Sequence, residues 1–306
     1  MAQSIRRMKL GVMPGLSEIG FNGRAPRFGD MRAAALLAEQ VGFDSFWLAD
    51  HLIYRFPERD EQGIWEVFTF LGGLAAVTSR ISLGPLVACT SFRNPALLAK
   101  MADSLDEISD GRFVLGLGAG WHEPEYTAFG YPFDHRVGRF EEALQIIVPL
   151  LREGHVDFAG QYYEARNCVL RPRGPSRSGP PIWIGAGKPR MLELTARYAD
   201  AYNTVWHVEP EEVAEPFAAL DAACARVGRD PKAITHTAGV HVRMLARGEQ
   251  PRANERRIAG EPEAVAEKLR GFRAAGVEHL VVVLEPSDLT GIERFAEVIA
   301  LLDEDE

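Results

Sequence analysis

An aspartate and a histidine stand side by side at Asp50-His51, directly after the apolar run from Val41 to Ala49. An imidazole next to a carboxylate is suited to moving a proton near neutral pH. Phe43, Phe46, Trp47 and Leu48 have the β-forming, apolar character of a strand covered on both faces, and Gly42 separates them from the helical run Met31 to Gln40. The pair therefore stands where a strand leaves a sheet, and in a parallel α/β protein that carboxyl edge is where ligands bind. The competing reading makes Asp50 a turn cap and His51 a solvated loop residue.

Two glycine turns offer a second kind of chemistry. One is Gly116-Leu117-Gly118-Ala119-Gly120-Trp121 and the other Gly185-Ala186-Gly187-Lys188-Pro189, each at the end of a strand-like run. Small residues there let backbone N–H groups approach a phosphate, and a helix beginning at Pro189 adds its positive end. Neither turn is a Walker loop, which would need glycine at Ile182 and Ser or Thr at Pro189, nor a dinucleotide fingerprint, which would need glycine at Trp121. Tight strand-to-helix turns also want glycine for steric reasons alone. Two such turns together favour a phosphate-bearing cofactor.

The elements that must position these groups alternate along the chain. Strands are expected at Lys9 to Met13, at Phe43 to Leu48, at Arg80 to Cys89, at Arg112 to Leu117, at Ile182 to Ile184, at Ala201 to Val205, near Thr235 to Leu245, and at His279 to Leu284. Helices are expected at Met31 to Val41, capped by Asp30, at Glu66 to Ser79, Asn94 to Ser109, Arg139 to Arg152, Pro189 to Tyr198, Pro210 to Arg226, Pro262 to Ala275 and Gly291 to Leu302. Eight such units without a composition break predict one domain over residues 1–306, a closed (β/α)8 TIM barrel, with an open doubly wound sheet as the weaker alternative. His51 to Gly63 reads as a polar loop. Gly154 to Pro181, with a hairpin-like piece at Asp157 to Tyr163, and Arg247 to Gly260 read as insertions at the mouth.

The totals restrict the partner. With 306 residues and a formal charge of −9, the sequence weighs against a nucleic-acid or anionic-membrane partner, because such binding is carried by clustered Lys and Arg. A small molecule is the expected partner. Three widely spaced cysteines, Cys89, Cys168 and Cys224, form neither a disulfide framework nor a metal motif, which fits a reducing cytoplasm. The run Met8 to Met13 is too short for a signal-peptide core, and no run approaches a membrane span. No His-x-His pair follows the first strand, and His122 with Glu123 is a weak metal signal, so no metal is expected.

Several stretches resemble the bacterial luciferase-like monooxygenase superfamily: Trp47-Leu48-Ala49-Asp50-His51, Ser79-Arg80-Ile81-Ser82-Leu83-Gly84, Gly116 to His122, Arg139 to Leu144, Ile182 to Gly187, and Ala196 to Asn203. Gly260 to Val265 through Ala275-Gly276-Val277 is similar to its closing helix and strand. The resemblance implies a barrel with a flavin or deazaflavin across its carboxyl-end mouth. Asp50-His51 resembles the branch that uses coenzyme F420, a deazaflavin that carries hydride at C5. It implies His51 as general acid or base, with Asp50 orienting its ring or binding the cofactor. It also implies that Gly118, Ala119, Gly120, Gly185, Ala186 and Gly187 line the ring and phosphate, and that Leu86 and Val87 form a cis-peptide buttress. A homodimer is a common arrangement in this superfamily.

One position departs from the branch. Its sugar-phosphate dehydrogenases have a glutamate where this chain has Trp121, which disfavours a sugar phosphate. Glu123 and Glu125 are candidate substitutes, with an exposed loop as the competing reading. Trp121 and Trp206, with Trp65 and Phe68, are expected to wall a pocket for a flat or apolar substrate, against the more frequent role of such residues in a core. The leading expectation is thus an F420-dependent oxidoreductase. The alternatives are a two-component monooxygenase using reduced FMN and oxygen, and a flavin-binding protein without turnover.

Overall fold

The computed structural model describes residues 6–246 and 248–304; Arg247, at which the second mouth insertion is expected to begin, lies outside them. Strand β1 (Lys9–Val12) leads to α1 (Phe28–Val41) and β2 (Ser45–Leu48). A hairpin, β3 (Ile53–Phe56) and β4 (Arg59–Gly63), precedes α2 (Val67–Ala75), β5 (Ser82–Pro85), the short β6 (Ala88–Cys89) and α3 (Pro95–Ser109). Next come β7 (Leu115–Gly118), α4 (Glu123–Phe129), α5 (Arg136–Glu153) and a second hairpin, β8 (His155–Ala159) with β9 (Glu164–Val169). The chain continues through β10 (Ile182–Gly185), α6 (Pro189–Tyr198), β11 (Ala201–His207), α7 (Ala214–Val227), β12 (Thr235–Met244), β13 (Ile258–Gly260), α8 (Pro262–Ala274), β14 (His279–Glu285) and α9 (Leu289–Asp303).

Strands β5, β2, β1, β14, β12, β11, β10 and β7 are parallel neighbours in that order. The bridge between Leu83 and Phe113, with Val114 N–H donating to the Leu83 carbonyl at 2.8 Å, brings the two ends together. The result is the (β/α)8 barrel expected from the alternation, not an open sheet. No helix is long and apolar enough to cross a membrane among the described residues.

Two aromatic side chains fill the barrel interior. Trp47 and Trp183 lie 4.5 Å apart by ring centroids, packed with Val114, Ala201 and Val281. Their space is left by glycines on the flanking strands: a Cβ at Gly11 would stand 2.6 Å from the Trp47 indole nitrogen, and one at Gly84 2.9 Å from its ring. Beneath them, Trp47 Nε1 donates to Ser45 Oγ at 2.6 Å, and Ser45 Oγ lies 2.7 Å from His279 Nε2. Burial pushes the His279 imidazole down to about 3, so it is neutral and accepts the serine proton. A second, larger apolar layer joins the strands to the surrounding helices.

Local detail departs from the sequence expectation at three points. Asp30 lies inside α1 and receives the backbone N–H of Arg27, so it acts at the third helical position rather than as the cap. Residues 51–63 hold the β3–β4 hairpin instead of a plain polar loop, and Glu123 and Glu125 belong to α4 instead of a loop. Helix α3 begins at Pro95, and Asn94 is its cap, accepting the N–H groups of Ala96 and Leu97 at 2.9 and 3.2 Å.

Candidate active site

A cavity of about 710 Å³ opens at the carboxyl ends of the strands, and its wall includes Asp50, His51, Leu86, Val87, Gly118, Ala119, Gly120, Trp121, Gly185, Ala186, Gly187 and Trp206. The expected site residues thus come together around one space. Their individual contacts differ from one another in what they leave available for chemistry.

Asp50 is 3% exposed and its charge is committed. Its Oδ2 accepts Arg93 Nη1 at 2.6 Å and the Cys89 N–H at 2.9 Å, while Oδ1 accepts Arg93 Nη2 at 3.0 Å. Arg93 also reaches Glu66 at 2.6 Å and lies over the Phe68 ring. Burial works against the guanidinium charge, but Asp50 and Glu66 outweigh it and hold the Arg93 pKa above its ordinary value. This bidentate pair anchors the segment that follows Leu86 and Val87, whose connecting peptide bond is cis. The Val205–Trp206 bond is cis as well.

The partner of His51 is Glu125. Oε1 and Oε2 lie 2.9 and 3.2 Å from His51 Nδ1, and Oε2 also receives the Leu52 N–H at 3.0 Å. Glu125 is 1% exposed, on α4. A carboxylate accepts, so Nδ1 carries the proton and Nε2 is the ring nitrogen left toward the cavity. The ring is therefore oriented by Glu125, and the expectation that Asp50 orients it does not hold. The family resemblance implied Asp50; the partner of the ring stands 74 residues away.

The first glycine turn is explained by its protein neighbours. A Cβ at Gly118 would lie 2.6 Å from Val87 Cγ2, and one at Gly120, where φ is +74°, would lie 1.9 Å from the Tyr126 hydroxyl. That hydroxyl donates to the Ala119 carbonyl at 2.9 Å, so the Cys89 thiol, 3.0 Å away, donates to it in turn. Burial pushes the Cys89 thiol up to about 12, which leaves it a thiol and not a nucleophile. The second turn is different. A Cβ at Gly187 would meet nothing within 4 Å, and Lys188 and the first turn of α6 stand beside it on the cavity wall. Bare backbone, one cation and a helix N-terminus at that place fit the phosphate of a flavin or deazaflavin.

Aromatic residues enclose the His51 side. Trp121 and Trp206 are 56% and 44% exposed at the rim, and Trp121 meets His51 edge-on at 5.6 Å. Tyr54, which composition did not single out, lies 4.7 Å from His51 by ring centroids, and burial reinforced by Glu125 pushes its hydroxyl up to about 12. Trp65 and Phe68 are elsewhere: Trp65 donates to the Pro26 carbonyl and stacks on Phe70, and Phe68 is buried beneath Arg93.

With this geometry in place the chain can be compared with known proteins. The family model described as luciferase-like monooxygenase matches residues 8–257. The chain belongs to the luciferase-like monooxygenase family. It is 32% identical over 246 residues to a phthiodiolone/phenolphthiodiolone dimycocerosates ketoreductase of Mycobacterium bovis, a match covering 74% of this chain and 64% of the relative. It is 38% identical over 217 residues to the pyrimidine monooxygenase RutA of Methylorubrum extorquens, covering 67% of this chain and 58% of the relative. The chain thus spans less than two thirds of the length of these relatives. In fold it is similar to an F420-dependent secondary alcohol dehydrogenase in complex with an F420-acetone adduct, with TM-score 0.80, 20% identity, and 97% and 99% of the two chains covered.

Proposed function

We propose that this enzyme is an F420-dependent oxidoreductase that moves a hydride between the deazaflavin and a small organic carbonyl or carbinol compound with a flat or apolar body. The observation that carries the reading is His51, whose Nδ1 is held by a buried carboxylate while its other ring nitrogen is left to the cavity. Interconverting a ketone and an alcohol requires a proton at oxygen as well as a hydride at carbon. A histidine locked in one tautomer can hold or take that proton at Nε2.

Bound across the mouth, the deazaflavin would supply hydride donor or acceptor chemistry at its C5. The turn Gly185 to Gly187 and Lys188 would bind its phosphate, and Leu86, Val87 and Ala119 would support its ring. Glu125 fixes the direction of the His51 ring. Trp121 and Trp206 cover the apolar part of the substrate and keep water from the site. The 32% identity to a ketoreductase supports hydride transfer at a carbonyl carbon.

A second reading, an FMN-dependent monooxygenase using oxygen, is favoured by the 38% identity to a pyrimidine monooxygenase. The two separate in one experiment. Reduced F420 deuterated at C5 is incubated under air with a panel of apolar ketones. Deuterium at the carbinol carbon of the product supports the proposal, while oxygen uptake dependent on reduced FMN, with label from oxygen gas in the product, supports the second reading.

A further inference from the structure

The β3–β4 hairpin stands outside the barrel sheet, and its ladder is irregular. Tyr54 pairs with Gln62 and Phe56 with Arg59, so Arg55 falls in the irregularity between them. A residue skipped by a ladder leaves its N–H without a strand partner. Here that N–H donates to Nε2 of His122 at 3.0 Å, across 67 residues of chain. His122 is 4% exposed, at the start of α4.

Acceptance at Nε2 requires a neutral imidazole with its proton on Nδ1. Burial holds the His122 pKa below the ordinary 6.5; the Glu125 carboxylate opposes this, and the charges of His51, Arg55 and Arg59 reinforce it. The hairpin carries two of the aromatic groups around the site. Tyr54 lies 4.7 Å from His51, and Phe56 lies 4.8 Å from His122 and 6.2 Å from Trp121, by ring centroids.

We propose that His122 is a positioning residue, a latch that holds the hairpin so that Tyr54 and Phe56 stand against His51 and Trp121 as a wall of the substrate site. It acts on substrate affinity and not on the chemical step. Only this kinetic consequence rests on the cavity being a substrate site; the latch itself is read without cofactor or substrate.

The test is hydrogen exchange at single amides in wild type, His122→Ala and His122→Gln, with the Leu52 amide, held by Glu125, as internal control. Loss of one hydrogen bond is expected to speed exchange at Arg55 about tenfold in His122→Ala, and the glutamine carbonyl should restore it to within about threefold of wild type. Leu52 should not change. Because the neutral form accepts and the His122 pKa is held below 6.5, the latch is complete at pH 6.5 and is lost only as pH falls through that lowered value, so the Arg55-to-Leu52 exchange ratio should rise on acidification in wild type but not in His122→Gln. In turnover, His122→Ala should raise KM about tenfold and leave kcat within about threefold. Unchanged Arg55 exchange in His122→Ala overturns the proposal, as do equal rates in the alanine and glutamine variants or a parallel rise at Leu52. If His122→Ala does not fold, the wild-type and glutamine pH series decides alone. Absence of turnover with F420 would contradict the proposed function and leave the exchange result standing.

Discussion

The carboxylate of Glu125 lies 2.9 Å from Nδ1 of His51, at 1% exposure, and the same group holds the Leu52 amide. One buried acid therefore fixes both the ring and the backbone beside it. Glu125→Ala should lower kcat by about 10- to 100-fold through loss of ring orientation, and Glu125→Gln, which keeps an acceptor oxygen, should lose less. Steady-state kinetics with matched circular dichroism checks this; equal activity in all three proteins would remove Glu125 from the mechanism.

His51→Ala should fold normally, bind cofactor with a modest loss and lose about two to four powers of ten in turnover, the range for a positioned general acid or base. Unchanged turnover would show that the proton comes from elsewhere.

Asp50 and Arg93 form a buried pair with side chains 0% and 9% exposed. Arg93→Leu would strand a buried carboxylate and should cost about 3–5 kcal/mol in urea unfolding, and adding Asp50→Asn should recover part of that loss. A loss below about 1 kcal/mol would mean that the pair is not buried in solution.

The two glycine turns should respond differently. Gly120→Ala places a Cβ 1.9 Å from the Tyr126 hydroxyl at a φ of +74°, and should destabilise by more than about 2 kcal/mol. Gly187→Asp has open space, so it should fold but bind cofactor more weakly, since its carboxylate would face the phosphate. Normal affinity in Gly187→Asp would move the phosphate elsewhere.

His279, buried and neutral, makes stability fall in acid. Its folded pKa is lowered from 6.5 to about 3, so its contribution is complete above 6.5 and is lost progressively as pH falls toward 3. The slope from this one group is about 1.4 kcal/mol per pH unit. His279→Asn should flatten the curve between pH 6 and 4; an unchanged slope would assign the acid loss to other groups.

The barrel was legible because its signal is local: alternating strand-like apolar runs and capped helices, such as Phe43 to Leu48 and the helix after Asn94. The meeting of His51 with the two glycine turns followed from the carboxyl-edge rule. What sequence did not disclose depends on distant partners. Glu125 reads as a solvated acid until α4 is folded against His51, and Asp50 reads as a catalytic neighbour until Arg93 arrives. The hairpin was hidden because β4, Arg59–Gly63, is mostly polar and exposed. Trp65 and Phe68 illustrate the opposite error, since an aromatic residue near a loop carries no information about which side of the wall it faces.

The most direct test is a side-by-side fluorescence titration of the purified chain with F420 and with FMN at identical salt and pH. F420 should bind saturably and at least about tenfold tighter than FMN, a difference of about 1.4 kcal/mol. Tighter binding of FMN, or no binding of F420, would contradict the F420 reading and make this an oxygen-using flavin enzyme.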